Sequence, residues 1–267
     1  MNIFIITTGI MLSQNQFARA YGDTSNDCAY SIVQTSDGGY AVAGWTKSFG
    51  AGSADFLVLK LDASGNLIWA KTFGGTSADS AFSLAQTVDG GYIVAGVTYS
   101  FGAGRSDILV IKLNSLGNLS WARTIGGLGS ERAYSILQNP DTSYILAGRT
   151  NSHDTTNTNY LVVKLSSSGG LIWAKTYGDT VWENAHSIAR TSDGGYVIAG
   201  RRVAGSGPGD CLIIKLGSAG NYQNGKIIGG TGEDYAYSIL QTADSGYVIA
   251  GYTESFGSSS DLMIVKL

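Results

Sequence analysis

Phe73–Thr124, FGGTSADSAFSLAQTVDGGYIVAGVTYSFGAGRSDILVIKLNSLGNLSWART, is the unit from which the whole chain is written. The alanine of its (D/E)xA segment returns at Ala29, Ala81, Ala133, Ala185 and Ala236, so the unit recurs at spacings of 52, 52, 52 and 51 residues. A period of this length, held over five copies, implies a row of identical supersecondary units, each too small to bury its apolar face alone.

Inside the unit, SLAQT (Ser83–Thr87) ends at VDGG, whose Asp-Gly pair favours the positive φ angles of a tight hairpin. GYIVAGVT (Gly91–Thr98) is rich in branched and aromatic residues and reads as a second strand. A Gly/Ser loop, YSFGAGRS, leads to DILVIKL (Asp107–Leu113), a continuous apolar run of the kind found in strands covered on both faces. The turn NSLGN then opens LSWART (Leu119–Thr124). Four antiparallel strands with Gly-marked turns make a propeller blade.

The expected fold is therefore all-β: a five-bladed β-propeller with four antiparallel strands per blade, over residues 15–267, its repeats starting near 21, 73, 125, 177 and 228. Residues 1–14 read as an apolar N-terminal segment, a remnant or a degenerate signal. The last repeat stops at Leu267 after its third strand, while FARAYGD (Phe17–Asp23) aligns in phase with WAKTFGG (Trp69–Gly75). Gln16–Tyr21 is thus expected to pair with the C-terminal strand and close the ring. In that arrangement the first strand of each blade lies innermost and the Trp-bearing strand outermost, with the long loops together on one face.

Composition narrows the function classes. Charged residues are only 14 %, hydrophobic residues 43 %, and 38 glycines accompany two prolines, which suits strands and turns and argues against disorder. A net charge of −3 with no Lys/Arg run gives no electrostatic footprint for nucleic acid. No apolar run reaches the ~18 residues of a membrane span. Cys28 and Cys211 occupy different points of repeats one and four, and two free thiols are expected rather than a disulfide. An AxA-like site at Ala18–Ala20 follows the apolar stretch Met1–Leu12, which carries no preceding Lys or Arg, and the expected setting is extracellular or cell-surface.

With five copies on the page, the recurring D(L/F)xVxKLDxxGNxxWxKTxGG and DxAxSIxQTxDGGYxVAGxT resemble the secreted bacterial beta-propeller repeat, found in surface and exported proteins. The resemblance covers about Asn15 to Leu267. It implies the fold and no particular activity, because that family's repeats share none. A quinone cofactor is not expected, since Asn224 stands where Trp69, Trp121 and Trp173 would carry a tryptophan motif.

A residue repeated in every unit builds the unit; one that varies is free to serve a ligand. The repeated carboxylates Asp27, Asp79, Glu131, Glu183 and Asp234 precede the innermost strand, where they could ring a tunnel mouth and hold a hard cation such as Ca²⁺, or could instead tie down their own loops. The varying positions include Trp45, Arg149, Arg201 and Tyr252 after the VAG segment, Trp182 before the fourth repeat's first strand, and His153 where other repeats carry Phe49, Phe101 and Phe256. Aromatic and Arg side chains on an asymmetric rim suit binding. The reading is a non-enzymatic, monomeric binding or adhesion module on the long-loop face, with carbohydrate or a protein as partner and no required cofactor. Two alternatives are a purely structural repeat and a glycoside hydrolase using carboxylates at the tunnel mouth. HExxH, GxSxG, P-loop and Cys/His metal patterns are missing from the sequence, which offers only His153 and His186 for acid–base work.

Overall fold

The computed structural model describes residues 17–152, 157–257 and 259–267. Met1–Gln16, His153 and the three residues after it, and Ser258 lie outside the described residues. The fold is a succession of antiparallel sheets with no helix among the described residues. Sheet one is β1 (Asp27–Gln34), β2 (Tyr40–Thr46), β3 (Asp55–Leu61) and β4 (Leu67–Phe73). Sheet two is β5 (Asp79–Gln86), β6 (Tyr92–Thr98), β7 (Asp107–Leu113) and β8 (Leu119–Ile125). Sheet three is β9 (Glu131–Gln138), β10 (Tyr144–Thr150), β11 (Asn159–Leu165) and β12 (Leu171–Tyr177). Sheet four is β13 (Trp182–Arg190), β14 (Tyr196–Val203), β15 (Gly209–Leu216) and β16 (Tyr222–Ile228). Sheet five has three strands, β17 (Asp234–Gln241), β18 (Tyr247–Thr253) and β19 (Asp261–Lys266). Each sheet is a meander in chain order, and the architecture is propeller-like.

The first strand of each unit begins four or five residues earlier than the run SLAQT suggests, at Asp79 rather than Ser83 in sheet two. A β-bulge explains the difference. Ala81 pairs with Gly96 and Ser83 with Ala95, so Phe82 is left without a partner and the alternation of apolar residues breaks there. The same bulge occurs in all five sheets. It also accounts for the glycine after the second-strand alanine: a Cβ on Gly96 would lie 2.0 Å from the Ser80 carbonyl oxygen. Ser83 uses the freed space to accept a bond from the Ile136 amide of the next sheet at 3.1 Å, and Ser31 does the same for Leu84 at 3.1 Å.

The hairpin aspartates and third-strand lysines form a clamp in every unit. Asp89 accepts bonds from the Thr87 hydroxyl, the Gly91 amide and Lys112 Nζ, the last also donating to the Leu113 carbonyl at 2.9 Å. Lys112 is 4 % exposed, so its stem is packed while its ammonium is fully paired. These bonds hold the Asp89 carboxyl at about 2, below its ordinary value, against the opposing effect of burial.

The core lies between sheets. Ala43, Phe56 and Val58 of sheet one meet Ala81, Leu84, Tyr92 and Val94 of sheet two, and equivalent clusters join sheets two to three, three to four and four to five. The free side of sheet one carries a smaller cluster in which Leu57, Leu59 and Leu61 are covered by Tyr21.

Closure departs from the expectation. Phe17–Tyr21 forms no ladder with β19, and sheet five remains three-stranded. The segment does dock on sheet one as the Trp-bearing strand of a preceding unit docks on its successor. Phe17 meets Tyr40 edge-on at 5.8 Å, as Trp69 meets Tyr92 at 5.7 Å, and the Tyr21 hydroxyl donates to the Gly65 carbonyl as that of Tyr177 donates to Gly220. Yet Ile32 is 64 % exposed and Leu262 80 %, although their counterparts Leu84 and Ile108 are buried. Among the described residues the core clusters join consecutive sheets, and no strand pairing or core cluster joins sheet five to sheet one.

Candidate functional site

The bulge decides what the inner strands present. Tyr30, Phe82, Tyr134, His186 and Tyr237 are the residues it leaves unpaired, and their side chains meet along the first strands. Ring centroids are 5.2 Å apart for Tyr30 and Phe82, 5.5 Å for Phe82 and Tyr134, and 4.8 Å for Tyr134 and His186. The hydroxyl of Tyr235 lies 2.7 Å from His186 Nε2.

Next to this ladder, two varying rows become one. The hairpin register sets Cys28 opposite Trp45, Ser80 opposite Val97, Arg132 opposite Arg149, Asn184 opposite Arg201, and Tyr235 opposite Tyr252. On sheets three to five the row is cationic and aromatic. Arg132 Nη2 donates to the Tyr99 hydroxyl at 2.5 Å and its guanidinium lies 5.9 Å from that ring. Arg149 Nη1 donates to Asn184 Oδ1 at 3.3 Å. Arg201 is ion-paired with Glu233 and sits 5.5 Å from the Tyr235 ring, which stacks on Tyr252 at 5.7 Å. Burial, then the charges of Arg149 and Arg201, pull His186 down to about 4, so the imidazole is neutral at pH 7. Burial pushes the Tyr235 phenol up to about 12.

Of the residues expected to bind, Arg149, Arg201 and Tyr252 are thus brought into one half-buried band. Trp45 stands at the far end of the same row on sheet one, with the Lys47 ammonium 5.7 Å from its ring. Trp182 is 49 % exposed opposite Val203, at the start of β13 and outside the row. His153 lies outside the described residues. The sequence reading missed Arg132, Asn184 and Tyr235, although Cys28, Ser80, Arg132, Asn184 and Tyr235 vary between repeats as much as the row it selected.

The repeated carboxylates do not ring an open mouth. Asp79, Glu131, Glu183 and Asp234 are buried, and they face their own loops. Glu131 accepts from the Thr150 and Ser152 hydroxyls, each at 2.6 Å, and from the Gly127 amide at 2.9 Å. Asp79 accepts from Ser100 at 2.7 Å and the Gly75 amide at 2.9 Å; Asp234 accepts from Ser255 and the Gly230 amide; Asp27 accepts from Thr46 and Ser48. Among the described residues no three His, Cys, Asp or Glu side chains gather as a metal ion would require. Glu183 is the exception in its bonding: burial, and then Asp179, push its carboxyl up to about 7, with Arg202 Nε 3.7 Å away.

Two apolar crevices, of about 470 Å³ beside Tyr21, Leu57 and Leu67 and about 540 Å³ beside Phe73, Leu109 and Leu119, are lined by residues at equivalent repeat positions. A crevice that recurs with the repeat belongs to the architecture. Cys28 and Cys211 are free thiols, and burial pushes the Cys211 thiol up to about 12. No helix among the described residues is long and apolar enough to cross a membrane.

No protein-family profile matches the chain. A stretch of 138 residues, 46 % of this chain, is 28 % identical to the regulatory protein FlaEY of Caulobacter vibrioides, and the match takes in 14 % of that protein's length. Among solved structures the chain is similar to a protein of unknown function from Bacteroides caccae, at 13 % identity and a TM-score of 0.56 over 90 % of this chain and 77 % of that one. It is also similar to the alpha-L-arabinofuranosidase Arb93a from Fusarium graminearum, solved with an iminosugar inhibitor, at 10 % identity and a TM-score of 0.55 over 89 % and 91 %. At these identities the likeness is one of fold.

Proposed function

We propose that the chain is a non-enzymatic binding module whose ligand, a saccharide, lies along the row of Arg149, Arg201 and Tyr252. One observation carries this reading: a pair of positions that varies from repeat to repeat is filled by Arg, Asn and Tyr on sheets three to five, and by Cys, Trp, Ser and Val on sheets one and two. Tyrosine rings and guanidinium forks are the side chains that pack on sugar rings and bond their hydroxyls at little entropic cost. Trp45, at the sheet-one end, and the exposed Trp182 extend the surface on which a longer ligand or a protein partner would rest. In this reading the module works as a monomer outside the cell or on its surface, in keeping with the AxA-like site at Ala18–Ala20.

Catalysis is the weaker reading, because four of the five repeated carboxylates, Asp27, Asp79, Glu131 and Asp234, are engaged in loop bonds and Glu233 is paired with Arg201. The test is a glycan array probed with the intact chain. The expected result is a group of related saccharides whose binding falls in Tyr252→Ala and Arg201→Ala while the melting temperature holds. An array without a hit rejects the proposal in favour of a purely structural repeat, and hydrolysis of a bound saccharide rejects it in favour of a hydrolase.

A further inference from the structure

Three arginines on sheets three and four are less well served than arginines in a finished core. Arg132 and Arg149 stand directly opposite each other in the β9–β10 ladder, where side chains share a face about 5 Å apart and like charges repel. Neither is ion-paired among the described residues; their bonds go to the neutral Tyr99 and Asn184. The Nε atoms of Arg132, Arg149 and Arg201 are all buried and have no hydrogen-bond partner among the described residues. A fold that repeats its polar contacts so faithfully elsewhere would not need this arrangement for stability, because Ser80 and Val97 fill the same pair of positions in sheet two.

An anion accounts for the Arg132–Arg149 pair. A carboxylate or sulfate between two guanidinium groups relieves their repulsion and accepts the forked donors that each leaves over. His186, next in the band, is held neutral by burial and then by the charges of Arg149 and Arg201, and would donate or accept one bond without adding charge. Tyr235 and Tyr252, a stacked pair beyond Arg201, supply an apolar flank. The overall charge of −3 and the shortness of the cationic stretch favour a ligand with localised charge over a polyphosphate backbone.

Resting on the saccharide reading above, we infer that the ligand is an acidic saccharide, its carboxylate or sulfate group seated between Arg132 and Arg149 and its sugar rings directed along the row towards Tyr235 and Tyr252.

The experiment is calorimetric titration of the full chain with four probes of similar length: an oligogalacturonate, a sulfated oligosaccharide, a neutral oligogalactoside and an oligouridylate. An acidic oligosaccharide is expected to bind at least about thirtyfold more tightly than the neutral one, and the uronate and sulfate arms tell the two anions apart. Arg132→Gln and Arg149→Gln should each lose about thirtyfold of that affinity, the scale of a charge-assisted bond, with near-UV circular dichroism unchanged. Arg149→Lys, which keeps the charge and loses the fork, serves as a second variant and should retain part of the loss. Equal affinity for acidic and neutral probes overturns the anion while leaving the saccharide reading standing. Failure of all three saccharides overturns both, as does tighter binding of the oligouridylate.

Discussion

Glu183 and His186 lie three residues apart on β13 and make opposite contributions to the pH dependence of stability, so replacing either one reveals the other. Glu183 is 1 % exposed and its folded carboxyl titrates at about 7, against an ordinary value of 4.5. Between those two values the folded state holds a proton that the unfolded state has released, so stability falls as pH rises, by about 1.4 kcal/mol per unit and about 3 kcal/mol in all. His186 has the opposite sign. Its folded imidazole titrates at about 4 against 6.5, so the unfolded state binds the extra proton and stability is lost as pH falls from 6.5 towards 4, again by about 3 kcal/mol. From pH 4.5 to 6.5 the two slopes cancel. Urea unfolding at half-unit steps from pH 4.5 to 7.5 should therefore find Glu183→Gln gaining on the parent by about 3 kcal/mol across the range, with most of the gain below pH 7. His186→Phe, which places in sheet four the residue that Phe82 provides in sheet two, should differ from the parent by a gap that grows in its favour as pH falls below 6.5. If the curves of Glu183→Gln and the parent run parallel, Glu183 is not buried as a proton-binding group and the account of its loop is wrong.

Two further outcomes test the construction of the repeat. Asp89→Ala leaves the packed Lys112 ammonium with only the Leu113 carbonyl, whereas Lys112→Met removes the buried charge altogether, so the first should destabilise by at least about 1 kcal/mol more than the second in urea unfolding. Gly96→Ala places a Cβ 2.0 Å from the Ser80 carbonyl and should cost about 3 kcal/mol, while Gly207→Ala, whose nearest neighbour would be 3.6 Å away, should cost under about 1 kcal/mol by thermal unfolding.

Much of this protein is legible without coordinates because its contacts are local to a 52-residue unit. Alternation, the Asp-Gly turns and the apolar run Asp107–Leu113 each report backbone preferences that act within a few residues, and the observed strands begin and end close to where they point. The exception, the early start of β5, is a bulge, which breaks the period that the reading relied on. Candidate binding residues were half legible. Variation singled out Arg149, Arg201 and Tyr252, but Arg132 joins them only because the hairpin register sets it across from Arg149, seventeen residues away.

The repeat, the strand order, the turn chemistry and the lack of a catalytic motif are properties of the amino-acid sequence alone. Three things belong to the tertiary structure: the inward or loopward aim of the repeated carboxylates, the union of two varying rows into one band, and the docking of Phe17–Tyr21 on sheet one without pairing to β19. The physical reason is common to all three. Side-chain direction at a bulge and the rotation between packed sheets arise from many small contacts between units, and small differences in each step accumulate along the row, whereas a strand or a turn is decided within its own few residues.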